Sequence, residues 1–534
     1  METARGIIAE SVSESQNGSG TNYFSILSDG DDVASQTSST MQFSRRNLVL
    51  CLDGSASKFG QRPASNVLKI FQMLDLSIDN VLAYYQPGVG SYIDSDSGMN
   101  HFSSRWKSLM FTFDSIAAYS FSDHIIACYR FLLRYYQYGD RIWIFGFSRG
   151  ALTALVLSRL IETVGLLRPG GEELAPCAWE IYKNWLLHQD KSIFDPSRGF
   201  ADALARKFKA TFARPVPEIY FLGLWDCVTA VGLLRPRTYL PAKGEEEYQG
   251  IVTHVRHALS IDERRVNFRY SDDVFGLDVV EQWFPGNHSD IGGGWQSDKR
   301  SLAGVRLSDL SLRWMIREVY SLGLPLRTEY IRKIALPSLV EQVILAPAHD
   351  MLSFSRIKGK SKRVAAKWWF LEFLPWPLEY SSQYGTKRRP DRHGKINLGR
   401  RRLIPDDALI HWSALWKQIL DKRYRPKNLP EDLWYAKSAY DQILQNGVIP
   451  DDILDDEEIM AAIQESDILD QNITGQNSVV SDIQNVDNQN SDISVQQNVV
   501  THLSINHESD IFEHDMMNQN PNISDKSMTI QDWE

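Results

Sequence analysis

The chain has 534 residues, 43% of them hydrophobic, and carries 15 Trp, 21 Tyr, 23 Phe and a net charge of −10. That much apolar material excludes a chain disordered throughout, and the length suits one large α/β domain with additions or two or three smaller domains. Four widely spaced cysteines without a CxxC exclude a disulfide framework or structural zinc site, and no apolar run reaches the roughly 18 residues a spanning helix needs.

Residues 1–44 are rich in Ser, Asp, Gly and Thr without sustained periodicity, so a disordered N-terminal tail is expected. No basic region precedes an apolar one there, so no secretory signal is expected and the location is read as cytoplasmic. From residue 45 the pattern alternates. "RRNLVLCLDG" reads as a strand, "SNVLKIFQMLD" as a helix and "NVLAYYQPGVG" as a second strand. "DHIIACYRFLLRYYQYGD" is an amphipathic helix ending at Gly139, followed by the strand "RIWIFGF" and the helix "RGALTALVLSRLIETVGLL". "PEIYFLGLWD" and "VVEQWFPGN" are further strands, whereas "RHALSIDERR" reads as a charged, helix-like stretch. Strands alternating with helices predict an α/β fold, a mostly parallel sheet with helices on both faces, over residues 45–420. A helical extension is expected over 421–463 and a disordered Asn/Gln/Asp/Ser-rich tail over 464–534. The acidic residues concentrate in the tails: 19 acids face one Lys after residue 450, and six face one Arg in residues 1–40, which leaves +13 between. A basic core suits an anionic partner such as a phospholipid surface; equally, the acidic tails simply keep a soluble core dispersed.

Gly146-Phe147-Ser148-Arg149-Gly150 ends one of these strands and opens a helix, the setting a nucleophile elbow requires. The glycines allow the sharp turn that lifts the Ser148 hydroxyl clear of the sheet. The Arg149 N–H, at the helix start, would then face an oxyanion. The plainer alternative is a glycine-bounded turn where strand and helix cross closely.

A serine nucleophile needs a base and an orienting acid, at later strand ends. Of twelve histidines, His502, His507 and His514 fall in the polar tail, and His124, His188 and His411 in or beside amphipathic segments. His288 lies between "VVEQWFPGN" and "SDIGGGW", on a glycine-rich loop at a strand end, and is the expected base; a turn-capping histidine is the alternative. Asp226, closing "EIYFLGLWD", is the expected acid, with an Asx-turn role as the alternative. Its rivals are Asp262, expected to pair with a neighbouring Arg, and Asp290, too near His288 in sequence to orient it but able to fix the loop.

"LVLCLDGS", "VLAYYQPGVGSY", "IWIFGFSRGALTALVL", "FLGLWDCVTAVG", "RHALSIDERR" and "WFPGNHSDIGGGW" together resemble, in order, the DUF2235 family, which is similar to the catalytic domain of type VI secretion phospholipase effectors. The resemblance implies an α/β-hydrolase fold with Ser148, Asp226 and His288 as a catalytic triad, and the bacterial effectors imply hydrolysis of phospholipid acyl esters. The chain departs from the family pattern at Asp53-Gly54-Ser55-Ala56-Ser57, Ser65-Asn66-Val67 and Asp226-Cys227-Val228, where Asp-Gly-Thr, Thr-Asn-Val and Asp-Thr-Val are usual. The Asp53–Gly54 loop is read either as a second oxyanion or substrate contact or as a simple strand-end turn.

"AAKWWFLEFLPWPLEYSS" follows the basic "RIKGKSKR". Trp368, Trp369 and Trp376 suit a peripheral membrane contact. The favoured alternative, a cap or lid at about 364–380, follows from the usual burial of Trp-rich helices. The expected activity is therefore serine ester hydrolysis, plausibly of phospholipids or other lipids, without metal or cofactor. The competing expectation is a catalytically silent relative that serves as an interaction module, with the tails supplying protein contacts. Scattered basic residues give no reason to expect nucleic acid.

Overall fold

The computed structural model describes residues 45–54, 63–88, 106–189, 191–192, 194–228, 250–270, 274–295, 305–335, 340–355, 362–373 and 396–429, with isolated positions between 457 and 464. The two expected tails and most of the 421–463 extension lie outside the described residues. The elements run β1 (Asn47–Leu52), α1 (Asn66–Met73), β2 (Val81–Gln86), α2 (Trp106–Tyr135), β3 (Arg141–Phe147), α3 (Arg149–Val164), α4 (Ala175–Leu186), α5 (Pro196–Phe212) and β4 (Ile219–Trp225). They continue with β5 (Val252–Ser260), β6 (Asp278–Phe284), α6 (His288–Gly292), α7 (Ser308–Ser321), α8 (Thr328–Ala335), α9 (Val340–Leu345), α10 (Lys362–Glu372), β7 (Leu409–Ile410) and α11 (Trp412–Leu420).

The seven strands form one sheet in the order β2-β1-β3-β4-β5-β6-β7, every pairing parallel. Alternation along β1 sends Leu48, Leu50 and Leu52 to one face and Val49 and Cys51 to the other, all essentially inaccessible. The first face packs against α2 to α5 and the second against α1, α7, α8, α9 and α11. Burying each such aliphatic side chain stabilises the sheet by about 1.5–3 kcal/mol. Successive strands are added on one side of β1 at β2 and on the other from β3 onward, which puts a switch point beside the carboxyl ends of β1 and β3.

"VTHVRHALS" is strand β5, not part of a helix-like stretch. Its polar residues meet partners on neighbouring elements: Arg256 contacts Asp278 and Glu318, and His257 Nδ1 lies 2.8 Å from Glu281. Asp262 follows it on a turn and pairs with Arg401 at 3.0 Å instead of an adjacent Arg. None of the four cysteines is joined in a disulfide.

Candidate active site

Ser148 stands between β3 and α3 with φ 58° and ψ −122°, and its N–H continues the sheet by donating to the Trp225 carbonyl at 3.0 Å. The two glycines of the motif are required by space. A Cβ on Gly146 would lie 2.5 Å from the Ala151 Cα, and one on Gly150 would lie 2.2 Å from the Leu52 carbonyl oxygen. Helix α3 therefore rests directly on the end of β1, and the serine is held at the turn above both strands.

Asp226, directly after β4, takes φ 44° and is fully buried. His288 opens the short helix α6 where a loop was expected. Asn287 caps that helix by accepting from the Ser289 and Asp290 amides, and Asp290 returns a bond from the Asn287 N–H at 2.9 Å. Asp290 is also joined to His349, its Oδ1 2.6 Å from Nδ1, so it fixes the helix and does not touch the His288 ring. Asn66 ties α1 to the same helix by donating to the Ile291 carbonyl.

These elements bring the three expected residues together. His288 Nδ1 lies 2.6 Å from Asp226 Oδ2, and its Nε2 lies 2.7 Å from Ser148 Oγ. All three are buried. The Phe147 ring lies beside the imidazole at 4.8 Å, and Phe268 meets it edge-on at 4.6 Å. This line of hydroxyl, imidazole and carboxylate is the arrangement that can pass a proton from Oγ to Nε2 while the carboxylate holds the opposite N–H.

Two neighbours escaped the sequence analysis. The Arg402 guanidinium grips Asp226 as a fork, Nη1 donating to Oδ1 at 2.5 Å and Nη2 to Oδ2 at 2.9 Å. It also donates to the Ser260 and Phe268 carbonyls. Burial acts to raise the Asp226 carboxyl, but the Arg402 cation and the His288 bond outweigh it and hold the group well below the usual carboxylate range. Glu263, also buried, accepts from Arg265 and from the His288 N–H at 3.3 Å. Burial opposes its ionisation, yet Arg265 brings its pKa down to about 2. Neither residue has a spacing signal; Arg402 is one arginine in a run of three.

The Asp53 carboxylate is occupied. It accepts from the Ser65 and Tyr85 hydroxyls at 2.8 and 2.7 Å and from the Gly54 N–H at 2.6 Å, while the loop at 55–62 lies outside the described residues. Arg149 is the first residue of α3. In α10, Trp368 is buried, stacking edge-on against Phe268 at 5.5 Å, so it follows the cap reading of this segment and not the membrane-facing one. Trp369 donates to the Leu352 carbonyl, and the Phe370 and Phe373 rings are turned outward, each 57% exposed. Trp376 lies outside the described residues. Among the described residues, no His, Cys, Asp or Glu cluster is placed to hold a metal, and no helix is long and apolar enough to cross a membrane.

A family model described as "T6SS, Phospholipase effector Tle1-like, catalytic domain" matches residues 46–318. The uncharacterized protein YEL023C of Saccharomyces cerevisiae is 27% identical, over 73% of this chain and 81% of that one. Among solved structures, an uncharacterized protein from Pseudomonas aeruginosa is 16% identical, covering 80% of this chain and 62% of its own, with a TM-score of 0.34. The Tle1 effector bound to the VgrG spike of the type 6 secretion system is 19% identical, covering 47% of this chain and 51% of its own, with a TM-score of 0.27. The chain thus spans less than two thirds of either solved relative. Arg402 and α10 lie beyond the matched 46–318 region.

Proposed function

The chain belongs to the Tle1-like phospholipase effector catalytic domain family, a family of lipase-type hydrolases, and from that premise we propose that it is a serine hydrolase of carboxylic esters, with phospholipids or other lipids as the substrate class. The observation that carries this reading is the Ser148–His288–Asp226 line, with both hydrogen bonds at 2.7 Å or less. Ser148 Oγ attacks the ester carbonyl as His288 Nε2 takes its proton. Asp226 holds the Nδ1 proton and stabilises the imidazolium. The oxyanion is held by the Arg149 amide, where the helix dipole adds to the field; the Gly54 N–H is already given to Asp53 Oδ1. As the tetrahedral intermediate collapses, His288 protonates the leaving alcohol. Water, deprotonated by the same imidazole, then cleaves the acyl-enzyme, and the carboxylic acid departs.

Helix α10 serves as a cap over this site, since Trp368 presses on Phe268 and Phe268 on His288. Exclusion of water by such a cap strengthens the site's electrostatics. Lipid contact falls to Trp369, Phe370 and Phe373, with Lys362 and Arg363 exposed on the same helix. Release of fatty acid from a panel of phospholipid and neutral-lipid esters tests the reading. It predicts turnover by the native chain and none by Ser148→Ala; equal release by both would contradict it.

A further inference from the structure

We propose that Arg402 is a positioning residue of the triad: its guanidinium fixes the plane of the Asp226 carboxylate and offsets its charge, so that the His288 imidazole stays neutral, and able to act as base, to lower pH than an unclamped Asp–His pair allows. This inference rests on the hydrolase reading of the same three residues.

The geometry points to a dedicated clamp. Both Asp226 oxygens are engaged by one guanidinium, and each has one further partner, the Ser260 N–H at 2.9 Å for Oδ1 and His288 Nδ1 for Oδ2. With its acceptor positions filled, the carboxylate cannot rotate without breaking the fork. The guanidinium is itself anchored. It donates to the Ser260 carbonyl at the end of β5 and to the Phe268 carbonyl, on the residue whose ring meets His288. Asn428 holds the backbone by donating to the Arg402 carbonyl at 3.1 Å, and the adjacent Arg401 reaches Asp262 at 3.0 Å. Two successive arginines thus reach carboxylates that follow adjacent strands.

The charges around His288 define the sign of the effect. Asp226 and Arg402 form one buried ion pair; Glu263 and Arg265 form a second, with Glu263 reaching the His288 amide and Arg265 lying over the Phe268 ring at 3.6 Å. Tyr270 lies under Arg402 at 5.6 Å, while on α6 itself Asp290 is turned to His349. Adding a proton to the Asp226–His288 pair places a positive charge beside Arg402. Removing Arg402 therefore makes the proton easier to add, whichever of the two residues carries it, and the pair titrates at higher pH.

The test follows the His288 imidazole by NMR against pH in the native chain, Arg402→Lys, Arg402→Gln and Arg402→Met, with His288→Gln to assign the signal. The midpoint is expected to rise by about one pH unit in the two neutral variants and to stay near native in Arg402→Lys. Either neutral variant suffices if the other does not fold, and an unchanged midpoint in a folded one overturns the proposal. Fluorophosphonate labelling of the same set against pH separates the fork from the charge. Arg402→Lys should keep the native midpoint with a plateau roughly 10-fold lower, since a misaligned carboxylate costs rate. A native plateau in that variant overturns the orienting role. A shifted His288 midpoint in a chain that never labels would sustain the clamp and defeat the hydrolase reading; labelling with unmoved midpoints would do the reverse.

Discussion

Ser148 and Asp226, at the ends of the adjacent parallel strands β3 and β4, both hold a left-handed backbone, with φ of 58° and 44°. Non-glycine residues seldom adopt such angles, which cost about 1–3 kcal/mol each. Here two adjacent strand ends each hold a positive φ, and the strained turns present a hydroxyl and a carboxylate to one imidazole. Ser148→Ala and Ser148→Gly should both be inactive, since neither has a hydroxyl. The glycine variant should nonetheless be the more stable by about 1 kcal/mol in urea denaturation, because it alone tolerates the angle freely. Equal stability would show that the turn stores no strain.

The Asp226–Arg402 pair makes Asp226→Asn costly in two ways. The amide leaves a buried guanidinium without its counter-charge, which should destabilise the chain by about 3–5 kcal/mol. It should also disorient His288 and lower the rate by up to roughly 10⁴. Denaturation and turnover on one preparation would separate the effects; a stable, fully active Asp226→Asn would remove Asp226 from the site.

Glu263 links the site to acid stability. Its folded pKa, about 2, lies below the ordinary 4.5, so at intermediate pH the unfolded chain binds more protons than the folded one. Its contribution is present in full above pH 4.5 and lost as pH falls through the folded value. Glu263→Gln should flatten the dependence of stability on pH across that window. An unaltered slope would show that its ionisation is not coupled to folding.

Much of this site was legible because local chemistry announces it: four apolar residues, Ile142 to Phe145, running into glycine, serine and glycine read as a strand that turns into a helix. Asn287 and Asp290, three apart, also carried a readable helix-start signal that the neighbouring glycines obscured. β5 was hidden because His254, Arg256 and His257 look like a polar helix face until Asp278, Glu318 and Glu281 are brought beside them by the fold. Arg402 was hidden for the same reason in stronger form. Nothing around it in the chain specifies Asp226 as its partner; only the folding of the segment beyond α10 onto the ends of β4 and β5 does.

The outer face of α10 should be separable from its inner one. Replacing Phe370 and Phe373 by Ser removes exposed rings and should leave stability within about 0.5 kcal/mol and hydrolysis of a soluble ester unchanged, while lowering activity on anionic vesicles. Trp368→Ala, by contrast, empties a buried site and should cost about 3–5 kcal/mol. Vesicle activity undiminished in the double variant would assign α10 to capping alone.

Close packing at Gly150 is needed to aim the serine. Gly150→Ala puts a methyl group against the Leu52 carbonyl and should push α3 off β1, costing about 3 kcal/mol and most of the activity. A native-like Tm and rate in this variant would show that the helix start is free to shift.

The most direct test of the account is covalent labelling by a fluorophosphonate, which reports an activated serine without any assumption about substrate. The native chain should label at a single site, with Ser148→Ala silent and His288→Ala and Asp226→Asn strongly slowed. A folded native chain that fails to label in the presence of liposomes, or labelling that persists in Ser148→Ala, would contradict a nucleophilic Ser148.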